Sequence, residues 1–136
     1  MNGSLRISEA ASIALHTMTL LALNTGKFLS VKEISKTLSV SEAHLSKVLQ
    51  RLARRGLAHS IRGPKGGFRL GKPADEVTLL DVFEAIDGPF KPTDCLMKER
   101  ICKNGNCLFG DLLGSINRSV LEYLGGKKLI EVESIF

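Results

Sequence analysis

The sequence predicts a mainly α-helical chain carrying a small β-hairpin wing: a winged helix-turn-helix domain followed by a long dimerisation helix. Three observations predict it. Two short apolar-striped helices, each with its own N-terminal cap signal, stand a tight turn apart between Ser30 and Arg54. A glycine-rich basic hairpin follows them directly. A long amphipathic segment lies near the end of the chain, where a small domain has little core left for it to cover.

The first helix is expected from Ser8 to about Leu23. Ala10, Ala11, Ala14, Leu15, Met18, Leu21 and Ala22 form a broad face of mostly small apolar residues, and Gly26 offers a left-handed cap. His16 on this helix reads as a surface histidine ahead of a ligand. The second helix opens on a capping box, Ser30 with Glu33, and its apolar residues Val31, Ile34 and Leu38 share one face. Ser39 and Val40 make the turn. Ser41 caps the third helix, with Glu42 favourably placed in its first turn.

In that third helix Leu45, Val48, Leu49 and Leu52 repeat at i, i+3, i+4 and i+7, so this stripe must face a core. The opposite face carries Ala43, Ser46, Lys47, Gln50, Arg51 and Arg54. Small and hydrogen-bonding residues come first and cations later, as in a recognition helix whose start meets base edges while its flanks meet phosphates. A hairpin is expected from Ala58 to Arg62 and from Phe68 to Leu70, closed by Gly63-Pro64-Lys65-Gly66-Gly67. Arg62, Lys65 and Arg69 arm it for a minor groove. The residues expected at DNA are Ser41, Ala43, His44, Ser46, Lys47, Gln50 and Arg51 on the helix, with Arg62, Gly63, Pro64, Lys65 and Gly66 on the wing.

Charge distribution supports a polyanion partner. The 136-residue chain has a formal net charge of +5. Between Ser41 and Pro73 eight Lys or Arg face a single acid, Glu42, whereas between Ala74 and Met97 six acids face Lys91 alone. This segregation describes one charged face rather than a generally basic protein. The first residues lack a basic stretch leading into an apolar one, and no apolar run approaches the ~20 residues a membrane span needs. A cytoplasmic location away from membranes is therefore expected.

Beyond the wing, Thr78 and Asp81 start a helix that buries Val82, Phe83 and Ile86 and stops at Gly88-Pro89. A polar loop over 89–107 holds all three cysteines as C-x6-C-x4-C: Cys95, Cys102 and Cys107. Lys98, Arg100 and Lys103 are interleaved with them and favour the thiolate form that metals bind. In a reducing compartment, grouped thiolates select an iron–sulfur cluster or zinc. The last helix is expected from Leu108 to Leu124, with Phe109, Leu112, Leu113, Ile116, Val120 and Leu124 on its apolar side, followed by a tail or a short turn. The expected divisions are a DNA-binding domain over 1–88, a cysteine loop over 89–107, and a dimerisation helix and tail over 108–136.

The run Gly56-Leu57, Ile61-Arg62-Gly63-Pro64-Lys65-Gly66-Gly67-Phe68 and Leu70 resembles the wing of the redox-response-factor family of bacterial regulators, which includes IscR-, NsrR- and CymR-like proteins. The likeness runs from Leu5-Arg6-Ile7-Ser8 to the helix after Cys107. It implies a homodimeric transcription factor bound to a palindromic operator on double-stranded DNA. It also implies that Cys95, Cys102 and Cys107 hold an iron–sulfur cluster, 2Fe–2S ahead of 4Fe–4S. The fourth ligand stays open. Gly110 stands where IscR-like proteins have a histidine, and Ser12 where NsrR-like proteins have a carboxylate. Glu9, Ser12, His16, Asp94, Glu99 and Asp111 are the candidates. Two rivals share the fold: a cluster-free thiol sensor and a CymR-like repressor controlled by a partner protein. An enzyme is not expected, because none of His16, His44 or His59 has a nucleophile or acid–base partner at a useful spacing.

Overall fold

The computed structural model describes residues 7–92, 95–103 and 105–136. Leu5, Arg6 and Asp94 lie outside them. Helix α1 spans Glu9–Leu23, α2 Val31–Leu38 and α3 Glu42–Arg54; strands β1 (Ala58–Ile61) and β2 (Gly67–Leu70) form the hairpin; α4 spans Leu79–Asp87 and α5 Leu112–Gly126. The fold class is as expected, five helices and one antiparallel pair.

Each N-terminal cap expected from the sequence is made. The Ser30 hydroxyl accepts from Glu33 N–H (3.1 Å) while the Glu33 carboxylate accepts from Ser30 N–H (2.9 Å). Ser39 at the end of α2 is left-handed (φ 55°), which turns the chain into α3, whose cap Ser41 accepts from His44 N–H at 3.1 Å. Thr78 and Asp81 repeat the reciprocal box at α4. Such caps satisfy backbone N–H groups that a helix start would otherwise leave unpaired. The first helix departs slightly from expectation: Asn24 caps it, and Gly26 takes its positive φ of 91° two residues later.

The core is a single cluster. Ala11, Ala14, Met18 and Leu21 of α1 meet Ile34 of α2, Leu45, Val48, Leu49 and Leu52 of α3, and Val82, Phe83 and Ile86 of α4. Leu29 and Ile34, the residues before and four after the Ser30 cap, are both buried in it; these are the positions of a hydrophobic staple. The wing is rooted in the same core. Leu29 and Phe68 exchange two backbone hydrogen bonds of 2.8 Å, so a single residue ahead of α2 acts as a third strand beside β2.

One expectation about the last part of the chain is corrected. The final helix begins at Leu112 rather than Leu108, because the chain turns over 107–110 with Gly110 at φ 57° and Gly110 N–H bonded to the Cys107 carbonyl at 3.0 Å. Leu108 is consequently 85% exposed and Phe109 42%. The helix also runs through Gly125 to Gly126. The tail makes the short turn expected, over Leu129–Glu131, and that turn is docked on the fold. Leu129 N–H bonds to the Val77 carbonyl, Leu79 N–H to the Lys127 carbonyl (both 2.9 Å), and Leu129 is buried at 1% exposure. The adjacent pair Leu129-Ile130 carries no periodic signal, so only docking reveals that Leu129 is core while Ile130 stays exposed.

Candidate functional site

With its apolar stripe buried, α3 turns the opposite face outward. Ser41, Ala43, Lys47 and Gln50 are exposed, and His44 and Ser46 half-buried. Among the described residues Lys47, Arg62 and Lys65 have no ion-pair partner, so their charge is available to an external anion. At the wing, β1 and β2 pair with Ala58 opposite Leu70 and Ile61 opposite Gly67. Arg62, Gly63, Pro64 and Lys65 form the exposed tip, and Gly66 at its base is half-buried. Gly66 N–H closes the turn on the Gly63 carbonyl at 2.9 Å.

Sequence reasoning missed what steadies the wing. The Arg69 guanidinium lies 4.7 Å from the centre of the Phe28 ring, which also meets the His59 ring at 6.2 Å. A cation over an aromatic face is attracted by the ring quadrupole. Phe28 therefore bridges the segment before α2 to both strands. An aromatic residue two positions before a capping box is the available signal, with no way to tell its partner.

Arg51 is placed differently from the other residues expected at DNA. Its Nη2 donates to the backbone carbonyl of Ile86 in the last turn of α4. Arg51 stays exposed, but at least one of its donors is tied to the end of α4.

The loop brings the three cysteines together. All are free thiols; Cys95 is half-buried, Cys102 and Cys107 exposed. They line one cavity of about 100 Å³ with Arg100, Gly105 and Asn106. None of the described candidates for a fourth ligand lines it. Glu9, Ser12 and His16 border a separate space of about 350 Å³ beside α2, and His16 Nδ1 lies 2.7 Å from the Ser12 carbonyl. Asp111 holds Arg118 at 2.6 Å, which keeps that guanidinium's pKa above its usual value. Glu99 is exposed and outside the cysteine cavity. No three described His, Cys, Asp or Glu side chains converge as a site for one metal ion. A lone zinc needs its donors ~2.0–2.3 Å from a single point. Three thiols lining one small cavity are the donor chemistry that an iron–sulfur cluster would take.

Exposed apolar side chains occur on α5 and in the cysteine loop, where Leu96, Met97 and Ile101 are exposed. Only Leu113, Asn117 and Leu124 of α5 are buried, while Leu112, Leu121 and Tyr123 are exposed. Among the described residues no helix is long and apolar enough to cross a membrane.

A family model for Rrf2, described as an iron-dependent transcriptional regulator, matches residues 7–133. The HTH-type transcriptional regulator IscR of Sodalis glossinidius is 31% identical over 132 residues, which cover 96% of this chain and 79% of that protein. Among solved structures, CymR (YrzC), the global cysteine regulator of B. subtilis, matches with a TM-score of 0.78 and 32% identity over 93% of this chain and 95% of CymR. T. potens IscR matches with a TM-score of 0.72 over 93% of this chain and 85% of its own, and at 22% identity it speaks for the fold alone. These relatives are transcriptional regulators and not enzymes. A helix-turn-helix with an unpaired basic wing, on a chain matched nearly end to end, places this protein in the Rrf2 family of winged-helix, DNA-binding transcriptional regulators.

Proposed function

We propose that this regulator binds a two-fold symmetric DNA site as a homodimer and senses redox, nitric oxide or iron–sulfur status through Cys95, Cys102 and Cys107. The observation that carries the reading is the convergence of those three thiols on one cavity, in a loop outside the apolar core. In this reading Ser41, Ala43, His44, Ser46 and Gln50 meet base edges, Lys47 meets phosphate, and the wing tip from Arg62 to Gly66 enters a minor groove. The exposed apolar edge of α5 with Leu108 and Phe109 supports pairing of two chains, which sets two reading heads ~34–36 Å apart on successive major grooves.

The cysteines would hold an iron–sulfur cluster, 2Fe–2S ahead of 4Fe–4S, which supplies sensitivity to oxidants, nitric oxide or iron supply. With no described carboxylate or imidazole in the cavity, the described residues offer three ligands there. Alanine at Cys95, Cys102 or Cys107 should abolish visible absorbance of the anaerobically purified protein while leaving a folded dimer. Loss of the fold in reduced, metal-free variants would make the cysteines structural instead. Regulation requires that the loaded loop favour one arrangement of the reading heads; equal operator affinity of the loaded and empty dimers would overturn that part.

Replacing Lys47 or Arg62 by alanine should weaken operator binding roughly ten- to hundred-fold, the ~1.5–3 kcal/mol of a charge-assisted hydrogen bond. Each lost phosphate contact should also flatten the slope of log affinity against log salt by ~0.9. Gel-shift titrations at several salt concentrations check both, and a monomer binding one half-site with equal affinity would remove the two-fold reading.

A second reading, a cluster-free thiol or partner-controlled repressor, is favoured by the 32% identity to CymR. The absorption spectrum separates the two: a colourless protein, still binding DNA after anaerobic purification from iron-replete cells, supports the second.

A further inference from the structure

Two contacts from distant parts of the chain converge on the last turn of α4. Arg51, on the helix expected to read DNA, donates to the Ile86 carbonyl. Ser8, the cap of α1, donates its hydroxyl to Asp87 Oδ1 at 2.5 Å and its N–H to Oδ2 at 3.2 Å. From the other side, the root of the cysteine loop is pinned to the same turn. Phe90 N–H donates to Glu84 Oε2 at 2.7 Å, and the Phe90 ring meets buried Phe83 edge-on, 6.1 Å between centres.

The chemistry of this junction is specific. A helix leaves its last carbonyls without partners inside the helix and carries partial negative charge there. The last turn of α4 has no basic residue of its own. Arg51 supplies the missing cation from a neighbouring helix, and its planar fork lets one donor bond Ile86 while the rest face outward.

We propose that Arg51 is a positioning residue which couples the cysteine loop to the DNA-reading helix, and is not a phosphate ligand. A shift at the loop root moves Phe90 and with it the last turn of α4, to which α3 is tied through Arg51. The proposal rests on the regulatory reading above only in treating the loop as the sensor. Coupling of this kind is reciprocal: if the loop biases DNA binding, DNA binding must bias the loop. The test therefore uses protein free of any cluster.

Hydrogen exchange over residues 83–91 and the rate of Cys95 alkylation are measured on reduced, metal-free protein. Each is taken with and without a duplex selected by the wild-type protein from a random-sequence pool. In the wild type, DNA should change the protection over 83–91, measured where exchange reports the opening equilibrium, by about 5–150-fold, the usual span of allosteric coupling, and should change the alkylation rate as well. In Arg51→Met that ratio should fall to near one, with the salt slope of DNA binding unchanged, and Arg51→Lys should restore part of it. A salt slope flattened by ~0.9 with DNA-dependent protection intact would make Arg51 a phosphate contact. A lower melting temperature with protection intact would make it merely structural. Either result, or a wild type in which DNA alters neither rate, overturns the proposal. Failure of cluster binding would appear separately, as a missing visible absorbance, and leaves these readings interpretable.

Discussion

Replacing Gly67 by alanine should cripple the wing. Its φ of 148° is one that side-chain-bearing residues rarely adopt, and an added Cβ would stand 2.3 Å from the Leu29 carbonyl oxygen. That oxygen accepts the Phe68 N–H, so the backbone cannot retreat without breaking the bridge that roots the hairpin. Strain of this kind costs about 1–3 kcal/mol, and the displaced bridge adds to it. Operator binding should drop well beyond what the lost stability explains, because the tip from Arg62 to Gly66 would no longer be aimed. Gly63→Ala is the control. Its φ of 112° is also unusual, but nothing lies within 4 Å of the new Cβ. The two variants should therefore separate in urea unfolding, where Gly63→Ala should lose less stability. Equal behaviour would mean that the close approach of β2 to Leu29 is not what holds the wing.

Leu49→Ala should destabilise the fold by about 2–5 kcal/mol, since a fully buried leucine leaves both lost transfer energy and a cavity. Against the ~5–15 kcal/mol of a typical domain that is a large share. The substituted side chain faces the core, so α3's outward surface is untouched. Affinity for DNA, measured well below the melting temperature, should change far less than stability does. Thermal unfolding paired with gel shift checks this. A strong loss of affinity in a fully folded variant would show that the packing of α3 sets its reading geometry.

Much of this architecture was legible because it rests on local rules. The capping boxes at Ser30 and Thr78 and the cap at Ser41 are four-residue patterns, and each forms where expected. The stripe of Leu45, Val48, Leu49 and Leu52 could face only a core, which obliged Lys47 and Gln50 to face out. The start of the last helix was misplaced by one turn because Leu108 and Phe109 continue its apolar spacing. Gly110 breaks that continuity with a positive φ, and glycine inside an amphipathic pattern announces its conformation poorly.

By itself the sequence determined the helix starts, the α3 stripe, the basic glycine-rich wing and the grouping of three thiols in one polar loop. All of these follow from short-range spacing and from the chemistry of single residue types. Only the tertiary structure decided the partners of side chains that meet across the chain: Arg51 on the Ile86 carbonyl, Asp87 on Ser8, Arg69 over Phe28, and Leu129 in the core beside Val77. The physical reason is that an arginine on an outward-looking helix face has the same sequence signature whether it meets a phosphate or a neighbouring helix end. Which of the two it meets depends on where another helix stops, and that is set by the packing of the whole core.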